Sequence, residues 1–456
     1  TNVGLSVAAG DYVVFLDHDD ELTADCLYEL AVCIDENAAD FIYSDEDKIS
    51  EEGKFTEPHF KPQWSPDTMM STMYTCHVSC VKMELVRELG GLRSEYDGCQ
   101  DWDFVLRVSE VARKICHIPK VLYHWRIIPQ SIASGLAAKD YAIEASKKVR
   151  LDAAKRRGFE AEMKAVEQVP GYFRIQYAVK GEPLVSIIIP TRDNGKVLRA
   201  CIKSIKEKTT YLRYELIILD NGSVEPSTVD YLNELSGESD TKVIRHDHPF
   251  NYSELNNLGV TNAAGDFLLF LNDDTEVISE DWLQSMIGYA QLPHVGAVGA
   301  KLLYPNTNKI QHVGVLNLEN GPGHAFLKQD ADLPGYYMRS LLDYNWLAVT
   351  GACLMVERAK FAAVGGFCES FPIAYNDVDL CMKLVEHNLF NVVNPSVRLI
   401  HHESISRGVD DISAEKIQRL KNERRRLFEA HPAFYQADPF FSPNLHPNGI
   451  NFEVVS

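Results

Sequence analysis

The hydrophobic pattern is sharpest in residues 263–277, AAGDFLLFLNDDTEV, where five apolar residues run straight into Asn272, Asp273 and Asp274. A short continuous apolar run predicts a strand, Phe267 to Leu271, at the centre of a parallel sheet buried on both faces. The acids then stand at its carboxyl end, the edge where open α/β sheets bind ligands. Burying carboxylates is costly without a partner, so a cation is their expected company. Two earlier segments share this polarity. Val185 to Ile189 leads into Pro190, Thr191, Arg192 and Asp193 before a helix over about 196–207, and YELIILDNGS predicts a strand ending at Asp220 and Asn221. Polar residues at the ends of consecutive strands have the geometry of a nucleoside pocket, with Asp220 placed to hold a base imide or a ribose hydroxyl. Taken alone, DNGS is also a turn signal, and its position at a strand end favours the pocket.

The acid-closed run occurs twice. Residues 8–22 read AAGDYVVFLDHDDEL, and Asn2, Gly4, Gly10 and Asp11 correspond to Asn257, Gly259, Gly265 and Asp266 at one constant offset. Further on, QDWDF at 100–104 answers NDVDL at 376–380, and LYHW at 122–125 answers LIHH at 399–402. Such self-similarity predicts two α/β domains in tandem. Before Asn257 the second copy carries strand and helix signals that have no counterpart before Asn2, so the first domain is expected to lack its amino-terminal strands. With Thr at residue 1, the sequence reads as a fragment beginning inside a domain. The expected organisation is the carboxyl-terminal part of a first domain at 1–135, a connecting helix and linker at 136–183, a complete second domain at 184–410, and a helix and tail at 411–456. Ala138, Ala142, Ala145, Val149 and Ala153 fall on one face of the connecting helix, with Gly158 as its stop.

Charge and cysteine usage narrow the function classes. A formal charge of -20 argues against a general nucleic-acid binder, which needs clustered Lys and Arg. The ten cysteines are scattered rather than spaced as a framework, which fits a reducing, cytoplasmic setting. Cys76, His77 and Cys80 lack a second ligand pair, so ordinary burial is expected there rather than zinc. No run approaches a membrane span or a signal peptide. One basic helix, with Lys416, Arg419, Lys421, Arg424, Arg425 and Arg426 beside Ile417, Leu420, Leu427 and Phe428, is a candidate for peripheral contact with anionic lipid. The alternative is a helix packed on its own domain with its charges solvated.

The repeat also selects candidate chemistry. Asp19 aligns with Asp274 and Asp17 with Asn272, so the later acid of each cluster is the preferred metal ligand. In YNDVDLCMKL, Asp377 and Asp379 open an amphipathic helix. They are either a helix-terminal charge arrangement or a general base, Asp377, with Asp379 orienting the helix start. A strand ends at His401, as an equivalent one ends at His124, which makes both histidines candidates for metal or diphosphate. Glu403, Ser404 and Arg407 follow His401.

Together these residues resemble glycosyltransferase family 2, inverting enzymes with a GT-A fold. The resemblance is to tandem members of the kind found in bacterial O-antigen and rhamnan-type polysaccharide synthesis. It is carried also by YSDEDK at 43–48, FKPQWSPD at 60–67, QHVG at 311–314 and HHESISRG at 401–408. It implies that Thr191, Asp193, Asp220 and Asn221 hold the nucleotide. It further implies Mn2+ or Mg2+ on Asp274 with Asp273 beside it, where Asn272 replaces the family's usual first Asp. The Glu-Asp base motif of the family maps onto Asn376 and Asp377, and onto Gln100 and Asp101, keeping the Asp each time. The implied reaction is hexosyl or rhamnosyl transfer from a nucleotide-diphospho-sugar, dTDP-rhamnose or a UDP-sugar, to a saccharide or lipid-linked saccharide. Asp377 is the implied base, and His401 and Arg407 help the departing diphosphate. Thr350, Gly351, His312 and His324 are placed to shape the pocket. A non-catalytic sugar-nucleotide or glycan-binding module, above all for the first domain, is the alternative. A metal-dependent nucleotidyltransferase or phosphohydrolase would use the same acids.

Overall fold

The computed structural model describes residues 1–127, 136–402 and 413–455, with side chains of 136–140 left aside. The chain forms two compact units, Thr1–Gln176 with Pro439–Pro447 and Phe452–Ser456, and Tyr177–Asp438 with Asn448–Asn451.

In the second unit the apolar runs become the sheet. Its central order is Thr241–Arg245, Tyr214–Asp220, Val185–Thr191, Phe267–Leu271, Cys353–Glu357, Val295–Leu303, Phe390–His401 and Thr275–Val277. The first four strands are parallel, while Cys353–Glu357 runs antiparallel to both its neighbours. Every residue of Phe267–Leu271 is buried, as a continuous apolar run flanked by strands on both sides requires. Gly259 on the helix Tyr252–Asn262 lets that helix lie close to the sheet, because a Cβ there would stand 2.5 Å from Ile188 and 3.2 Å from Leu219.

The first unit repeats part of this plan. Tyr12–Phe15, the counterpart of Phe267–Leu271, pairs with Ser79–Lys82. Beyond lie Phe41–Ile49, Ile115–Arg126 and the short Glu21–Leu22. Among the described residues of this unit no strand covers the other edge of Tyr12–Phe15, and all four of its residues are only half-buried. The helix Asn2–Val7 buries none of its residues, and a Cβ on Gly4, the counterpart of Gly259, would meet nothing within 4 Å. The helix Leu136–Arg156 packs with this unit through Val149 and Ala153, both fully buried, and through Arg156 with Glu110. It stops at Gly158, whose φ of +80° continues no helix.

Candidate active site

In the second unit the parallel strands end side by side. Asp220 pairs in register with Thr191, so the strand-end polar residues share one edge. Thr191 Oγ1 donates to Asp273 Oδ2 at 2.7 Å, and Asn194 Nδ2 reaches the same oxygen at 3.4 Å. Asp273 is therefore tied to the first strand. Asp220 accepts the Ser223 N–H on Oδ1 and Arg245 Nη1 on Oδ2, at 2.8 and 2.9 Å. Asn221 is buried and donates its amide to the carbonyls of His246 and His248. Asp193 is tied to the loop that follows Asp220, its N–H donating to Ser223 Oγ. Its φ is +48°, and its Oδ1 accepts the N–H groups of Val224 and Glu225, at the entry to the helix Pro226–Ser236. The Glu225 and Val224 N–H groups hold its carboxyl below the usual carboxylate range.

The next residue along from Asp273 has different company. Asp274 Oδ1 lies 3.1 Å from His401 Nε2, and both side chains are nearly buried. Strand pairing places them together, since Thr275 is opposite His401 and the His402 N–H donates to the Asp274 carbonyl. His401 Nδ1 stands 2.6 Å from Gln311 Oε1, which fixes the orientation of the ring. The Asn272 amide is 3.3 Å from the same Nε2. A carboxylate oxygen and an imidazole nitrogen thus stand side by side, with Gln311 behind the ring.

Asp377 opens the helix Asn376–Glu386 half-buried. Its Oδ2 accepts the Gly351 N–H at 2.8 Å and its Oδ1 the Val378 N–H at 2.9 Å. The segment 350–353 connects this carboxylate to the acid cluster, because the Ala352 carbonyl accepts the Asn272 N–H. Tyr252 Oη donates to the Gly351 carbonyl, and His312 Nε2 accepts the Thr350 N–H. A Cβ at 351 would stand 2.8 Å from Tyr252 Oη and would push that side chain from its place. Burial, with His324 and His401 nearby, drives the His312 pKa well below the usual imidazole value, so it is neutral and its acceptor role is fixed. Asp379 is buried against Lys383 and His431 and anchors the helix rather than facing a ligand. Arg407, with Glu403 and Ser404, lies outside the described residues.

The first unit arranges its acids differently. Ligand atoms of Asp17, Asp20 and His77 lie within 4.8 Å of one another. Asp20 is held by Tyr123 Oη and the Arg126 N–H, while Asp19 sits partly exposed beside His18. His124 does not join them. Its Nδ1 pairs with Asp47 and its ring stacks on Phe55 at 4.2 Å. Burial raises the Asp101 pKa, against the pull of the Trp102 N–H and His77, and Asp17 adds to the rise. Neither His77 nor Asp20 was evident from spacing. The signal for Asp20 was its place beside Asp19, and His77 becomes a neighbour only through the sheet.

The sequence pattern of the family described as "Glycosyl transferase family 2" matches residues 1–88 and 186–365, more than half of the chain. The chain belongs to glycosyltransferase family 2. An uncharacterized protein, y4gI, of Sinorhizobium fredii (strain NBRC 101917 / NGR234) is 42% identical over 465 residues, covering 100% of this chain and 51% of that protein. The O-antigen biosynthesis protein RfbC of Myxococcus xanthus is 37% identical over 415 residues, covering 90% of this chain and 32% of its own length. The chain thus spans about half of one of these relatives and a third of the other. Among solved structures, GalNAc-T7 with UDP, GalNAc and Mn2+ is 16% identical with a TM-score of 0.43, over 54% of this chain and 48% of that one. The mannosyltransferase PcManGT from Pyrobaculum calidifontis, in complex with GDP-Man and Mn2+, is 15% identical with a TM-score of 0.40, over 67% of this chain and 77% of that one. The family pattern falls on both units, each of which has a mixed sheet with acids at strand ends.

Proposed function

We propose that the second unit is an inverting glycosyltransferase that moves a sugar from a nucleotide-diphospho-sugar to a saccharide acceptor in bacterial cell-surface polysaccharide synthesis. The observation that carries this reading is the convergence of Asp274 Oδ1 and His401 Nε2 on one point, joined by the segment 350–353 to the half-buried Asp377. The name of the Myxococcus relative, an O-antigen biosynthesis protein, supports the polysaccharide setting.

The donor set fits a divalent ion. One carboxylate with one imidazole suits Mn2+ better than Mg2+, which prefers oxygen alone. Asp274 and His401 would hold it, and when bound it would supply positive charge against a departing diphosphate. The remaining work falls to the chain itself. Asp220 and Thr191 border the nucleoside position, and Asp273, spent on Thr191 and Asn194, stiffens the edge. Asp377 takes the proton from the acceptor hydroxyl, whose oxygen attacks the anomeric carbon opposite the leaving group, so one displacement inverts the centre. The Gly351 N–H keeps one carboxylate oxygen in place while that proton is accepted.

Calorimetric titration with UDP, dTDP and GDP, in Mn2+ or in EDTA, tests the donor half of this reading. One nucleotide should bind only with Mn2+, fail to bind Asp274→Asn even with Mn2+ present, and bind normally to Asp377→Asn. Equal binding in EDTA and in Asp274→Asn would refute the metal assignment.

A further inference from the structure

We propose that His246, His248 and Glu254 form a zinc site in the second unit, separate from the Asp274 cluster. The three lie on the turn after the strand Thr241–Arg245 and on the first turn of the helix Tyr252–Asn262. One ligand atom from each lies within 4.8 Å of the other two. His246 Nε2 and Glu254 Oε1 are already 2.8 Å apart, and the two imidazoles stack with centroids 4.4 Å apart.

The backbone that carries these side chains is held from beneath. Buried Asn221 donates one amide group to both histidine carbonyls, at 3.0 and 2.8 Å. The His246 N–H donates to the Asp220 carbonyl, and the His248 N–H closes a tight turn on the His246 carbonyl. Glu254 is fixed by the helix cap, where Asn251 Oδ1 accepts its N–H at 3.2 Å. Side chains on a turn so restrained lose little freedom when they ligate an ion.

The chemistry selects the ion. Two imidazoles and a carboxylate suit zinc and its borderline neighbours, whereas Mg2+ and Ca2+ prefer oxygen throughout. Ligands on one tetrahedral zinc stand roughly 3.3 Å apart, given bonds near 2 Å. Exposed His248 closes that gap by rotating, and its exposure supplies the entry path. Zinc would displace the proton shared by His246 and Glu254 and leave a fourth position to water. It would cross-link the turn to the helix whose Tyr252 holds Gly351.

The test is zinc competition against a chromogenic chelator, using the full chain stripped with EDTA and titrated with ZnCl2. Expected is one tightly held equivalent beyond any that Asp274 and His401 take up. His248→Ala and Glu254→Gln should each weaken it by more than the roughly 10–100-fold that loss of an outer-sphere partner costs. Asp274→Asn should leave it unchanged. Since His248 is exposed, its replacement preserves folding, and matching circular dichroism in EDTA confirms this. Cobalt substitution gives a second readout: wild type should show the visible absorption of a tetrahedral site, and His248→Ala should not. Failure of wild type to compete for zinc would overturn the proposal. So would equal zinc retention by wild type and His248→Ala, which would indicate an adventitious ion only. Neither result bears on Asp274 or Asp377.

Discussion

Asp377 receives one backbone N–H on each carboxylate oxygen, and these two contacts position it. Asp377→Asn keeps that shape and removes the proton acceptor. It should lower turnover by about 10²–10⁴-fold while nucleotide titrations remain as in wild type. Unchanged turnover would remove it as the base. His431 offers a pH prediction of a different kind. Burial works against its charged form, but hydrogen bonds to Asp379 and Glu386 outweigh this and raise its pKa. A pKa raised in the folded state adds stability below the unfolded value, and that stability is lost as pH rises through the folded one. The melting-temperature advantage of wild type over His431→Gln should therefore be largest near pH 6 and shrink toward alkaline pH. A constant difference would show that the pair contributes packing alone. At this scale the sequence was partly legible. Thr191, Asp220 and Asp274 were marked by their places at strand ends. Asp193 shared that mark, yet its left-handed backbone turns the carboxylate toward the N–H groups of Val224 and Glu225.

Among elements, Phe267–Leu271 was readable because a continuous apolar run has few other homes, and the repeat exposed its counterpart at Tyr12–Phe15. The pairing of His401 with Asp274 followed from the same logic, since antiparallel pairing sets Thr275 opposite His401. The analogous pairing of His124 with Asp19 does not appear. Asp47, from the parallel neighbour strand Phe41–Ile49, takes His124, and His77 comes to Asp17 and Asp20 instead. Spacing could not reveal this, because the competitor comes from a strand whose register only the folded sheet sets. Gly265 tests the second unit's sheet. A Cβ there would stand 2.6 Å from the Ser186 nitrogen and 2.7 Å from the Leu184 carbonyl, both backbone atoms. Gly265→Ala should cost about 1–3 kcal/mol as overpacking forces Phe267–Leu271 from Val185–Thr191. A denaturation midpoint equal to wild type would contradict that packing.

For the whole molecule, a charge of -20 leaves bulk attraction to polyanions unfavourable, and among the described residues no helix is long and apolar enough to cross a membrane. Within the helix Ala414–Ala430, Arg424 donates to the Asn320 carbonyl, Arg426 to the Ser370 carbonyl, and Arg419 faces buried Glu423. Basic charges so engaged serve the packing of their own unit. Flotation with phosphatidylserine vesicles should leave the chain unbound, whereas flotation lost on neutralising Lys416, Lys421 and Arg425 would establish a lipid surface. The central claim concerns transfer itself. Its most direct measurement is release of nucleoside diphosphate from dTDP-, UDP- and GDP-sugars with mixed saccharide acceptors, in Mn2+ or EDTA, for the intact chain and Asp274→Asn. One donor should be consumed, with a new glycosidic bond and no pyrophosphate, only when both Mn2+ and Asp274 are present. Consumption that survives EDTA and Asp274→Asn, or products containing pyrophosphate, would contradict it.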